Sequence, residues 1–359
     1  MRRYRGILSL RHRSSIRTVT RMPHGSNIAA KNRDPRIQAV QYNEDTYILR
    51  QNVCVHWEAP FTYLLFGNKG ALLIDTGATA EAAYYPLRAT VDAIIARWAQ
   101  MRRKQNVPLT VALTSGEDIA QNQGLAQFKG RPGTTLAPQW PSGTARIDLG
   151  DRIIDVIPAH GAHKDGIVFY DPYNDFLYTG DLLFPGKINI SNDRDYVATL
   201  QRLKQWKETH PVKWIMGGHI EMQFVPGKVY PRFATYKPYE RVLQMEPDLI
   251  DGALASAQQV LGKEIALVRP DFILLNRVSP DQKTPVFPEG VPNISAPFND
   301  EGESRKWIEE RLSLYHLPQR FCPRFRPAPL PRLRASISAP MSRHRVRFPP
   351  SGSADRHPA

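Results

Sequence analysis

Two apolar runs separated by one short polar turn constrain this chain most. Phe61–Gly67 (FTYLLFG) and Gly70–Gly77 (GALLIDTG) flank Asn68-Lys69. Apolar runs of this length bounded by glycine turns read as buried strands. The next segment changes period. Leu87, Val91, Ile94, Ile95 and Trp98 recur at helical spacing behind Pro86, a residue suited to a helix start. VPLTVALTS (107–115), RIIDVIPA (152–159), GIVFYDP (166–172), DFLYTGD (175–181) and VKWIMGGH (212–219) read as further strands. DYVATLQRLKQWKE (195–208) and residues 240–262 read as helices. Strands interleaved with helices place the body in the α/β class.

Charge divides the chain. The formal net charge is +14, but residues 1–33 hold nine basic side chains and no acidic one. Residues 319–359 hold nine arginines and one aspartate, so residues 34–318 are slightly acidic. A nucleic-acid footprint belongs on a folded face. Here the basic residues lie in two tails, so a polyanion is expected to meet the tails if it binds at all. The expected organisation is a basic disordered tail at 1–36, a folded domain at 37–300, a short helix at 301–318, and an Arg/Pro-rich disordered tail at 319–359. The first tail has three readings: a solvated extension, translation from upstream of a true start at Met22, or an organelle transit peptide. The cytoplasm is the expected compartment under the first. No apolar run is long enough for a membrane helix. Two cysteines, Cys54 and Cys322, make neither a disulfide framework nor a Cys-x-x-Cys site.

Three polar residues close buried strands: His160 after IDVIPA, Asp181 after FLYTG and His219 after KWIMGG. Loops at strand ends carry ligands and catalytic groups because the sheet holds them rigidly. Two imidazoles and a carboxylate suit zinc, iron or manganese. Each also has a plain reading as a loop hydrogen-bonder or a turn residue.

ALLIDTG (71–77), PAHGAHKDGIVFYDPYNDFLYTGDLLFPG (158–186) and GGHIE (217–221) resemble, in this order, the motifs of the metallo-β-lactamase superfamily. HWEAPFTYLLFG (56–67) resembles the first strands of one of its hydrolase-like subgroups. The resemblance implies a four-layer αββα sandwich with a metal site at one edge. It implies that Asp75 is a buried carboxylate behind the ligands. His160 matches the third histidine of the first metal site, Asp181 the aspartate bridging two metals, and His219 the last histidine of the second site.

The departure lies in ALTSGEDIAQNQGLAQF (112–128), where the family carries His-x-His-x-Asp-His. Alignment on Gly124 puts Gly116, Asp118, Ala120 and Gln121 at those positions, and no histidine occurs between His56 and His160. One zinc ion, or manganese or iron in its place, is the expected cofactor, held by His160, Asp181, His219 and Asp118. Asp181 and Asp118 are then the catalytic carboxylates, and the substrate is an unidentified small molecule. His163, Glu117, Lys187 and Arg194 lie nearby as loop polar residues. Two functions stay open: a metal-dependent hydrolase with an eroded site, or an inactive member serving as a binding module or left by a degraded gene.

Overall fold

The structure is a computed structural model, and it describes residues 22–138, 140, 143 and 145–277. The expected 301–318 helix, the C-terminal tail and most of the N-terminal tail lie outside the described residues.

Six strands form the first sheet in sequence order: β1 (Ile37–Asn43), β2 (Thr46–Gln51), β3 (Phe61–Phe66), β4 (Ala71–Ile74), β5 (Leu109–Ala112) and β6 (Thr134–Leu136). Helix α1 (Leu87–Arg102) crosses between β4 and β5, which makes that pair parallel. The short helix α2 (Ile119–Asn122) follows β5. After β7 (Ala145–Asp148), β8 (Ile153–Pro158), β9 (Ile167–Asp171) and β10 (Phe176–Gly180) come β11 (Lys187–Ile190), α3 (Asp193–Thr209), β12 (Trp214–Gly217) and β13 (Gln244–Met245). Helix α4 (Leu249–Val260) and strands β14 (Ile265–Val268) and β15 (Ile273–Asn276) complete the described fold. The second sheet runs β13-β12-β10-β9-β8-β7, and β11-β15-β14 forms a small third sheet.

Side-chain alternation builds the layers. Phe61, Tyr63 and Leu65 point one way from β3 and meet Val156, Phe169, Tyr178 and Met216 of the second sheet. Leu64 and Phe66 point the other way and meet Leu87, Val91, Ile95 and Trp98 of α1. The outer face of the second sheet, with Val168, Leu177 and Ile215, packs on Tyr196, Leu200 and Leu203 of α3 and Ala253 and Ala257 of α4. The order is helix, sheet, sheet, helix, the expected αββα sandwich. Strands covered on both faces are apolar throughout, and this is why β3 and β4 stood out in the sequence.

Two expectations change. Residues 22–36, counted with the N-terminal tail by composition, lie against the body. Met22 is buried, Ser26 N–H donates to the Thr235 carbonyl (2.9 Å), and the Asn52 side chain donates to Asn32 Oδ1 (2.9 Å) and the Pro35 carbonyl (3.0 Å). A few hydrogen bonds tie this stretch down, and average charge does not register them. The helix expected over 240–262 is shorter. Gln244 and Met245 pair with β12, and Pro247, which has no N–H for a helical ladder, precedes the true start at Leu249. Among the described residues no helix is long and apolar enough to cross a membrane.

Candidate metal centre

Five strand ends meet at one edge of the sandwich. Asp75 follows β4, Asp118 caps α2 after β5, His163 sits in the loop from β8 to β9, Asp181 follows β10, and His219 lies two residues past β12. Close backbone approach permits this. A Cβ on Gly218 would come 2.7 Å from Asp181 Oδ1, and one on Gly180 would come 2.4 Å from Thr114 Oγ1. Glycine at both positions lets the β10 and β12 ends close on β5.

Asp118, His163 and Asp181 each offer a ligand atom within 4.8 Å of the other two. His163 Nε2 stands 3.4 Å from Asp118 Oδ2, and that buried oxygen has no hydrogen-bond partner among the described residues. His219 extends the cluster, with Nδ1 3.1 Å from Asp181 Oδ1 and Nε2 3.9 Å from Glu221 Oε1. The Phe184 ring lies 4.1 Å from its imidazole. These groups line a cleft of about 200 Å³ together with Trp57, Glu58, Lys187, Asn189 and Arg232.

The charges are strongly linked. Burial raises the Asp181 carboxyl, and its neighbour Asp118 adds to the rise. Burial also opposes ionisation of Asp118, but His163 and Asp181 outweigh it and bring that carboxyl down to about 2. Two carboxylates sharing one site cannot both ionise cheaply unless a cation lies between them. Burial disfavours charge on His163 and His219 too, and the adjacent aspartates more than offset it, raising both imidazoles. Glu58 is lifted to about 7 by burial, and burial lowers His56 to about 4. A buried carboxylate oxygen that makes no hydrogen bond and lies beside an imidazole and a second carboxylate is part of a donor set that fits a divalent cation.

The structure places His160 and His163 differently from the sequence alignment. His160 Nδ1 lies against the Lys164 carbonyl, and the ring does not join the triad. His163 takes the inward place. The Gly161 N–H donates to the His163 carbonyl (3.1 Å) and Ala159 N–H to Gly166 (2.7 Å), which turns the loop so that the second histidine faces Asp118. Two histidines three residues apart cannot be ranked by spacing when the loop fold is unknown. Arg194 and Glu117 do not line the cleft, whereas Lys187 does.

The altered cluster is built into the fold. Gln121 is buried. Its backbone carbonyl accepts from Thr76 N–H (2.7 Å), and its Oε1 accepts from Thr114 Oγ1. Thr114 N–H also donates to Asp75 (2.7 Å), whose carboxyl burial raises to about 8. Asp75 is buried beside Thr114, with Asp118 and Asp181 near enough to add to that rise. Gly116 N–H and Ser115 Oγ both donate to the Asp165 carboxylate at 2.6 Å. Glu58, Glu221 and Asp165 were not singled out in the sequence. Glu221 lies two residues past His219, a spacing that was open to inspection.

Residues 110–219 match the family profile described as "Metallo-beta-lactamase superfamily". A curated relative, the "Acyl-coenzyme A thioesterase MBLAC2" of Gallus gallus, is 30% identical over 94 residues, covering 25% of this chain and 34% of its own length. The chain thus spans about a third of that relative. Among solved structures, the metallo-beta-lactamase from Pontibacter korlensis aligns at TM-score 0.43 with 16% identity, covering 62% of this chain and 99% of that one. The FIM-1 metallo-beta-lactamase from Pseudomonas aeruginosa in its mono-zinc form aligns at TM-score 0.43 with 12% identity, covering 63% and 97%.

Proposed function

We propose that this chain, whose residues 110–219 match the profile of the metallo-β-lactamase superfamily, is a hydrolase that works with a single divalent cation. The observation that carries the reading is the convergence of Asp118, His163 and Asp181, with the buried Asp118 Oδ2 lacking any other partner among the described residues. Those three residues would hold the ion, zinc first and manganese or iron as alternatives, with His219 beside Asp181. A bound cation of this kind supplies Lewis acidity, which polarises a carbonyl and makes water more acidic.

The chain's own groups then divide the work. Glu221 faces His219 Nε2 and anchors β11 by accepting from the Lys187 N–H (2.7 Å), so it orients the imidazole from behind. Ala120 cannot carry a proton at the position where the family has aspartate. Glu58, in the same lining and titrating near neutrality, is the carboxylic acid suited to that task. The bond cleaved is an ester, thioester, amide or phosphoester. The thioester leads because the curated relative is named as a thioesterase.

The test is metal content of the full-length protein by elemental mass spectrometry, with hydrolysis of an S-acyl-N-acetylcysteamine measured in parallel. About one ion per chain is expected, lost in Asp118→Ala, His163→Ala and Asp181→Ala and retained in His160→Ala. Glu58→Gln should keep the ion and lose turnover. A folded protein that takes up no ion would leave the binding-module reading, which the buried Thr114–Gln121 contact in place of a histidine ligand favours.

A further inference from the structure

Arg50 of β2, Lys237 and Glu240 are all buried, and none of them lines the cleft. Arg50 Nη1 and Nη2 donate to the two Glu240 carboxylate oxygens at 2.7 and 2.6 Å, a bidentate pair in which the charges balance. Lys237 Nζ stands 3.7 Å from Glu240 Oε1 and is therefore a surplus cation. Burial pulls its ammonium down to about 8, and the nearby Glu240, Glu221 and Glu58 do not outweigh that. Stability alone does not account for such a charge, because an apolar side chain of similar volume is often neutral or better in the core.

Each cation gives a donor to the backbone of a different cleft loop. Arg50 Nε donates to the Ala59 carbonyl (3.3 Å), one residue past Glu58. Lys237 Nζ donates to the Ile220 carbonyl (3.1 Å), between His219 and Glu221. The two loops also meet directly, where Phe61 N–H donates to the Gly218 carbonyl (2.8 Å). The Glu58 turn needs such support. Ala59 is buried at φ +50°, and a residue with a Cβ is strained in the left-handed region. Strain of this kind persists only where the surroundings impose it. Here Ala59 N–H donates to the His56 carbonyl (2.9 Å), Gln51 N–H donates to the Pro60 carbonyl (3.0 Å), and Arg50 holds the carbonyl between them. Lys237 is fixed by its own backbone, whose N–H donates to the His24 carbonyl (2.8 Å). Its side chain can therefore be changed without detaching that segment.

We propose that Arg50, Glu240 and Lys237 form one positioning clamp. Arg50 holds the Glu58 turn, Lys237 holds the His219–Glu221 loop, and Glu240 fixes the two cations relative to each other. The carboxyl suited to proton transfer thereby keeps its place in the cleft. The three residues act through the backbone and touch no substrate. The inference rests on the hydrolase reading only for its effect on turnover.

Hydrogen–deuterium exchange of the full-length protein, read at the Phe61 amide, tests the clamp. Lys237→Met and Arg50→Lys should each speed that exchange about tenfold and leave the amides of the β14–β15 hairpin at the parent's rate. Lys237→Met should keep the parent's melting midpoint by circular dichroism, because it removes the surplus charge. Arg50→Lys keeps a cation for Glu240 and lacks the Nε–H, so if one variant fails to fold the other still decides. With the S-acyl-N-acetylcysteamine probe, kcat should fall about tenfold in each variant while KM stays within about twofold and zinc content is unchanged. Phe61 exchange unchanged in both variants, or quickened together with the hairpin amides, overturns the clamp. Local quickening with kcat unchanged in an active parent overturns its positioning role. A parent without zinc or turnover overturns the hydrolase reading instead, and the exchange rates then still decide whether the clamp joins the loops.

Discussion

Asp75 shows how burial sets the titration of a single residue. It sits at φ +63°, is 1% exposed, accepts from the Thr114 N–H at 2.7 Å, and lies 2.8 Å from the Thr114 hydroxyl oxygen. Burial lifts its carboxyl from 3.8 to about 8. Between those values the folded state keeps a proton that the unfolded chain releases. Stability therefore falls as pH rises through this window. Asp181 and Glu58, also raised, add in the same direction. Asp75→Asn removes one titration and keeps a residue that tolerates the left-handed region. The variant, freed of metal by chelation, should show a shallower decline in Tm from pH 4.5 to 8 than the parent. An unchanged slope would place the titration elsewhere.

Between residue and fold, the elements that matter are two loops fastened together. Asp165 comes from the His163 loop, and its carboxylate collects Ser115 Oγ and Gly116 N–H at 2.6 Å and Glu117 N–H at 3.2 Å. Hydrogen bonds to an ionised group are the strong ones. This fastening sets His163 opposite Asp118, so the Asp118–His163 pair is held from outside the cleft. Asp165→Ala should cost about 1–3 kcal/mol in denaturant unfolding and about ten- to a hundredfold in zinc affinity. Loss of stability without loss of zinc affinity would mean that the loops find their register unaided.

For the whole molecule, one buried ion pair bridges the two sheets. Arg152 donates to Asp171 on β9 through Nε (3.0 Å) and NH2 (2.5 Å), and to the Asp45 and Phe66 carbonyls (2.8 and 3.2 Å) at the ends of β2 and β3. Both side chains are buried. Removing one partner strands the other charge in the core, which costs about 3–5 kcal/mol, whereas an apolar pair of similar volume is often neutral. Arg152→Met should therefore destabilise strongly, and the double variant Arg152→Met/Asp171→Leu should recover most of the loss. The readout is the midpoint of guanidinium unfolding. Additive losses in the double variant would show that the pair contributes no coupling.

The strands and the residues at strand ends were legible because they follow from local pattern, whereas the αββα order was implied only by the resemblance of the ordered motifs to a known family. Continuous apolar runs such as FTYLLF need cover on both faces, and Asp75, Asp118, Asp181 and His219 follow such runs directly or after a short turn. The absence of histidine from 112–128 was equally plain. Three matters needed the tertiary structure. His163 rather than His160 faces Asp118 because the loop's direction is set by hydrogen bonds between Ala159, Gly161, His163 and Gly166. Residues 22–36 join the body through a few specific bonds that an arginine-rich composition conceals. The cleft lining draws Trp57, Lys187 and Arg232 from distant parts of the chain. Periodicity reports which face a residue takes within its own element. It carries no information on which elements meet, because packing across the sandwich decides that.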